Sequence, residues 1–278
     1  MQHFENWEYD INDPSLVSVC DELPLWSAPF GLKLLDTIEY RPDMNVLDIG
    51  CGTGFPLLEL AGRLGRSCRV YGIDPWKTAV ERIRLKLKVW KIQNVEVIHG
   101  VAERMPFDDR FFHLIVSNNG INNVDDPEEV LSECFRVARP GCQLVVTVNL
   151  PDTMIEFYNM YEETLQKLGK TKEVAKMNEH ISARRKPLDA TKKMLIDAGF
   201  ELINVVEDSF KMKFLDGSAL MQHPSIKLAF LEPWKGILQE NDVEEVFGHL
   251  VDRLNSYANA KGELSLTVPL ACIDSRKK

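Results

Sequence analysis

The stretch Val46-Leu47-Asp48-Ile49-Gly50-Cys51-Gly52-Thr53-Gly54 decides the fold. A short strand-like run carrying one acid leads into three glycines spaced G-x-G-x-G. Glycines at the end of a strand let the backbone approach a ligand closely, and a following helix aims its N-terminal amides at that ligand. Pro56 suits the first turn of such a helix, over Pro56 to Leu64. Nicotinamide-binding folds share a related pattern with the longer spacing G-x-G-x-x-G. The shorter spacing, and Asp48 two residues ahead of the first glycine, favour a different cofactor.

Outward from this stretch, short β-branched runs alternate with longer amphipathic ones. Strands are expected at Met44 to Ile49, Arg69 to Ile73, Val95 to Ile98, Phe111 to Ser117 and Gln143 to Asn149. Helices are expected from Leu32 to Ile38, from Lys77 to Trp90 and from Pro127 to Val137, the last ended by Arg139-Pro140-Gly141. In the Lys77 helix, Val80, Ile83, Leu87 and Trp90 recur at core spacing, which leaves Arg82, Lys86 and Lys88 to water. Alternation of this kind implies a parallel sheet covered on both faces. After Asn149 the rhythm breaks into helical, partly polar segments. A strand returns at Leu202 to Val206, and another closes the chain at Leu264 to Ile273.

Composition narrows the function. The 278 residues are 45% hydrophobic and 27% charged, which excludes wholesale disorder. A formal net charge of -9 disfavours nucleic acid, whose binding relies on Lys and Arg. The six cysteines, Cys20, Cys51, Cys68, Cys134, Cys142 and Cys272, form neither a zinc-ligand spacing nor a dense disulfide framework, so no metal is expected. They read as reduced core thiols, and no stretch is apolar enough to span a bilayer, which together predict a cytoplasmic protein.

Further motifs follow in register. Twenty residues after Gly54 comes Asp74, ending Tyr71-Gly72-Ile73-Asp74, where a carboxylate can accept from both hydroxyls of a ribose. Its plainer reading is a helix-capping acid before Pro75. Gly100-Val101-Ala102-Glu103-Arg104-Met105 follows the third strand, and Asn118-Asn119 the fourth.

Taken in order, these motifs resemble the class I S-adenosylmethionine (SAM)-dependent methyltransferases, in particular the small-molecule branch that includes the ubiquinone and menaquinone biosynthesis enzymes. The resemblance is close over residues 44 to 150. It implies an α/β, Rossmann-like, seven-stranded, mostly parallel sheet with an antiparallel last strand and helical cap insertions. It divides the chain into an N-terminal lid and helix (1–43), a SAM-binding core (44–150) and a helical insertion (151–187). A core helix and strand (188–207), a second helical insertion (208–262) and a final core strand and tail (263–278) complete it.

Position by position, the resemblance implies that Gly50, Cys51, Gly52, Thr53 and Gly54 line the methionine portion of SAM. Asp48 would orient the loop or the cofactor's amino group. Asp74 would hold the ribose, with Pro75 and Trp76 against adenine, and Ala102 and Glu103 at the adenine edge. Asn118 and Asn119 would lie beside the reactive methyl. The branch usually has an acid where Val101 stands, an Asp where His113 stands, and in many members a His pair where Asn122-Asn123 stands. No catalytic base is assigned.

Candidate acceptor residues are Trp26, Phe30, Tyr158, Tyr161, His180 and His223. His180 belongs to the basic run Glu179-His180-Ile181-Ser182-Ala183-Arg184-Arg185-Lys186, whose plainer reading is a solvated helix end. Trp7 and Tyr9 suggest an N-terminal flap. The expected function is methyl transfer to a small molecule. The alternatives are a non-catalytic SAM-binding sensor or subunit, and a nicotinamide-dependent oxidoreductase.

Overall fold

A computed structural model describes residues 26–278. The flap residues Trp7 and Tyr9, the thiol of Cys20 and the lid residues before Trp26 lie outside the described residues. Seven strands form one mixed sheet in the order β3-β2-β1-β4-β5-β7-β6, mostly parallel, with the last strands antiparallel. The chain divides into two compact units: residues up to Val146 with Ala198–Glu201 and Asp274–Lys278, and Thr147–Asp197 with Leu202–Ile273.

In the first unit the chain runs α1 (Ala28–Thr37), β1 (Asn45–Ile49), α2 (Leu57–Leu64), β2 (Arg69–Asp74) and α3 (Lys77–Val89). It continues with β3 (Val95–His99), β4 (Phe112–Asn118), α4 (Pro127–Val137) and β5 (Ala138–Asn149). β1 pairs in parallel with β2 and β4, and β2 with β3. The near-continuous apolar runs predicted this: Val46, Leu47, Ile49, Leu114, Ile115 and Val116 are all buried, as both faces of a covered parallel sheet require. α4 starts where Asp126 accepts from the Glu128 and Glu129 amides, ahead of Pro127. Gln143 fastens the far end of α1 by accepting from the Glu39 amide and donating to the Thr37 carbonyl.

The last strand runs past the expected Ile273 to Lys277, and two others exceed their expected bounds further. β5 begins at Ala138, because Pro140 and the left-handed Gly141 (φ 78°) are taken up as an exposed, irregular strand start. β6 (Phe200–Phe214) starts before the expected Leu202 and continues past Val206 through Glu207-Asp208-Ser209. It is the edge strand of the described sheet, so those side chains stay exposed.

His113 on β4 accepts from the Asn45 amide at 2.9 Å and lies 2.7 Å from a guanidinium nitrogen of Arg139. Partial burial, and then the Arg139 charge, hold its pKa below the ordinary value of 6.5. The unfolded chain therefore takes up a proton near pH 6.5 that the folded chain refuses. Stability is full above that pH and declines below it. His113→Gln, whose amide oxygen can accept the same bond, should show a shallower loss of Tm between about pH 7 and 5.5. Equal slopes in the two proteins would remove His113 from the account.

The second unit holds α5 (Ile155–Lys167), α6 (Thr171–Arg184), α7 (Leu188–Asp197), most of β6, α8 (Gly217–Gln222), α9 (Val243–Lys261) and most of β7 (Leu264–Lys277). A broken helical run over 224–235, with a π turn at Lys227–Leu231, precedes α9. Its core is aromatic. Phe157 stacks on Trp234 with centroids 4.0 Å apart, and Tyr161 packs on Phe247 at 5.9 Å. α9 lies on α5, burying Val246, Leu250 and Leu254.

Candidate active site

β1, β2 and β4 all end at one edge of the parallel sheet, and a cavity of about 440 Å3 lies there. Its wall includes Trp26, Gly50, Asp74, Pro75, Ala102, Glu103, Asn118 and Asn119. The volume falls in the roughly 300–1,000 Å3 range of small-molecule sites. The loop after β1 is shaped by two backbone requirements. Gly50 has φ 72°, and a Cβ there would stand 2.8 Å from the Gly120 Cα. Gly52 has φ 50°, and its missing Cβ would point into open space. Only glycine meets the first requirement without strain.

Asp74 ties this loop to the next helix. One carboxylate oxygen accepts from the Gly52 amide and the other from the Trp76 amide, each at 2.8 Å. Each oxygen keeps a further lone pair for a ligand. The capping reading and the ligand reading of Asp74 are thus compatible. Lys86, expected in water, is 5% exposed and donates to the Thr53 carbonyl at 2.9 Å. Its side chain reaches from the helix face onto the glycine loop, so amphipathic spacing misassigned it.

Asp48 lies wholly buried, outside the cavity wall, and neither oxygen makes a hydrogen bond of ordinary geometry with a described residue. Burial, reinforced by the charge of Asp74, pushes its carboxyl well above the usual range, with the Leu57 amide offsetting part of this. Cys51 is also fully buried, and burial pushes its thiol far up, so it is no nucleophile. Cys51, Gly52, Thr53 and Gly54 do not line the cavity. Trp76 does not line it either, and its side chain is 53% exposed.

The opposite wall was not read from the sequence. Gly120, Asn123, Val124 and Asp125 line it. Glu103 accepts from the Asp125 and Asp126 amides, joining the segment after β3 to the turn after β4. The Asn-Gly pair at 119–120 was the available signal: Asn119 takes φ 59°, and its carbonyl accepts from the Asn123 side chain. Ser117 secures the turn by donating to the Ile49 carbonyl and accepting from the Ile121 amide.

Of the acceptor candidates, Trp26 lines the cavity and packs on the buried Phe30 at 5.7 Å. The other four belong to the second unit. Tyr158 and Tyr161 are buried in its aromatic core with both hydroxyls bonded. His180 is half-buried on α6, and the Arg184 side chain lies outside the described residues. His223 packs edge-on against Phe214 at 5.5 Å. Among the described residues no His/Cys/Asp/Glu cluster suits a metal, and no helix is long and apolar enough to cross a membrane.

A ligand cavity at the carboxyl edge of a parallel sheet, with glycines on one strand and an acid on the next, defines a nucleotide-cofactor domain. Residues 47–146 match the methyltransferase domain family, and the chain carries the Rossmann-like fold of the class I methyltransferases. It is 32% identical over 124 residues to a demethylmenaquinone methyltransferase of Bacillus mycoides, covering 45% of this chain and 52% of that protein. A demethylmenaquinone methyltransferase of a Geobacillus species is 36% identical over 117 residues, covering 42% and 50%. The chain thus spans about half the length of the curated relatives it matches. Among solved structures, the YcgJ protein of Bacillus subtilis superposes with a TM-score of 0.59 at 18% identity, covering 90% of this chain and 98% of that one. Geranyl diphosphate C-methyltransferase of Streptomyces coelicolor, in complex with Mg2+, geranyl diphosphate and S-adenosyl-L-homocysteine, gives 0.55 at 15% identity over 90% and 78%.

The cofactor these domains use is SAM, and the residues present fit it. Asp74 offers a carboxylate at the cavity wall, and Gly50, also at the wall, lets the loop pass against Gly120 where a Cβ would clash. The buried Asn119 amide nitrogen has no acceptor among the described residues, as a donor meant for a ligand would not.

Proposed function

We propose that this chain transfers a methyl group from SAM to a small-molecule acceptor by in-line displacement. The observation that carries the proposal is the cavity walled by Gly50, Asp74, Glu103 and Asn119 at the carboxyl edge of the sheet. Bound SAM supplies an electrophilic methyl on a sulfonium. The protein's own work is then positioning and exclusion of water. Asp74 would hold the ribose hydroxyls, Ala102 and Glu103 the adenine edge, and the glycine loop and Asn119 the methionine end. Asp48 would act from below, shaping the loop.

We assign part of the selection of the acceptor to Trp26, which lines the cavity. The demethylated quinones acted on by the named relatives are the first acceptor class to try. The protein would work in the cytoplasm, in keeping with the buried free thiols of Cys51, Cys68, Cys134 and Cys142. Calorimetric titration with SAM, followed by transfer of a labelled methyl group to a quinol panel, tests this. Micromolar binding with turnover is the expected result. Binding without turnover on any acceptor would favour the sensor reading, and NADH binding in its place would favour the oxidoreductase.

Lys86→Met should weaken SAM binding about tenfold, the worth of one charge-assisted bond holding the Thr53 carbonyl. Its Tm should stay near that of the unaltered protein. Unchanged affinity would show that the loop keeps its shape without Lys86.

A further inference from the structure

The second unit buries a cation that its own residues leave unneutralised. Arg185, at the C-terminal end of α6, is 4% exposed. One terminal nitrogen donates to the Thr153 carbonyl at 2.9 Å and the other to the Tyr158 hydroxyl at 3.1 Å, and the guanidinium carbon sits 4.8 Å from the centre of the Tyr158 ring. Among the described residues no carboxylate forms an ion pair with it. Glu173, the buried acid of α6, faces Lys176 instead. Of a guanidinium's five N–H donors, two are engaged.

The Tyr158 oxygen adds to the imbalance. It accepts from both Arg185 and the Trp234 indole, the latter at 2.9 Å. Both partners can only donate, so the phenolic proton itself has no acceptor among the described residues. Spare donors and a net positive charge therefore converge within an aromatic wall made by Phe157, Tyr158 and Trp234. A cation–π contact compensates part of a buried charge, but full compensation needs an anion.

We propose that Arg185 and Tyr158 form a receptor for an acceptor-only anion, a carboxylate or phosphate group. Arg185 presents a planar fork to it and Tyr158 an O–H.

The test uses the full chain and three probes: benzoate, its neutral isostere benzamide, and inorganic phosphate. Sodium chloride at matched ionic strength is the reference. Benzoate is expected to raise Tm by a few degrees and to change Trp234 fluorescence saturably, identified by its loss in Trp234→Phe. Benzamide should do neither. Arg185→Met should abolish the response, Arg185→Lys should weaken it at least tenfold because an ammonium lacks the fork, and Tyr158→Phe should weaken it about tenfold. An Arg185-dependent response to phosphate rather than benzoate supports the site and assigns the phosphate class. The proposal is overturned if Arg185→Met still responds to benzoate, or if no anion acts beyond matched chloride. Arg185 would then serve only to clamp the turn at Thr153 and the left-handed Met154. SAM titration of the same variants separates the two readings: loss of SAM binding in the unaltered chain would strike at the function and leave the anion response standing.

Discussion

Replacing Asp74 with alanine is expected to weaken SAM binding about a hundredfold, near 3 kcal/mol. That is the combined worth of two hydrogen bonds from ribose hydroxyls to a charged acceptor. Loss of the Gly52 amide's partner adds to it, because that bond holds the glycine loop against β2. The Tm should fall only slightly, since the carboxylate lies at a cavity wall and not in the apolar core. Calorimetric titration at constant ionic strength reads the effect. Trp76→Ala is the informative contrast: its half-exposed indole stands outside the cavity wall, so affinity should change less than threefold. An Asp74 variant that binds SAM as tightly as the unaltered chain would move the cofactor elsewhere.

The largest expected loss of stability comes from Trp234→Ala. The indole is fully buried, stacks on Phe157 at 4.0 Å and donates to the Tyr158 hydroxyl. The Tyr161 hydroxyl also donates to the Trp234 carbonyl, within a site whose burial pushes the phenol's pKa up. Truncation of an aromatic residue in such a place costs about 3–5 kcal/mol, from lost transfer energy and the cavity left behind. Urea unfolding should show a midpoint moved to lower denaturant, and SAM affinity in native buffer should be preserved because the cavity residues all belong to the first unit. A stability loss below about 1 kcal/mol would mean that the aromatic cluster is loosely packed.

The first unit was legible in the sequence because its signals are periodic and local. Val46 to Gly54 announced a strand, a tight turn and a helix by composition alone, and Asp74 fell at the end of the next strand as its spacing required. Lys86 was missed because its position on the helical wheel marks a lysine as solvent-facing, whereas the long side chain bends onto the glycine loop. The Asn123–Asp125 wall was missed because it depends on Glu103 accepting from two backbone amides, and side-chain-to-backbone bonds between distant segments leave no period. The second unit was the least legible part. Its helices are interrupted by a π turn, and its core joins Phe157, Tyr158 and Tyr161 to a tryptophan more than seventy residues away. Tyr158 and Tyr161 stood out as aromatic, but no sequence pattern tells a pocket wall from a packed core.

The burial of every described cysteine gives each unit its own clock. Cys51, Cys68, Cys134 and Cys142 lie in the first unit, and Cys272 lies in the second. A thiol reagent can reach them only when the chain around them opens, so the modification rate of each cysteine-bearing peptide measures how often its surroundings unfold. SAM should slow the modification of the first four. An acid bound at Arg185 should slow that of Cys272. Each unit can thus be followed separately, in one unaltered protein, by the sulfur atoms it already contains.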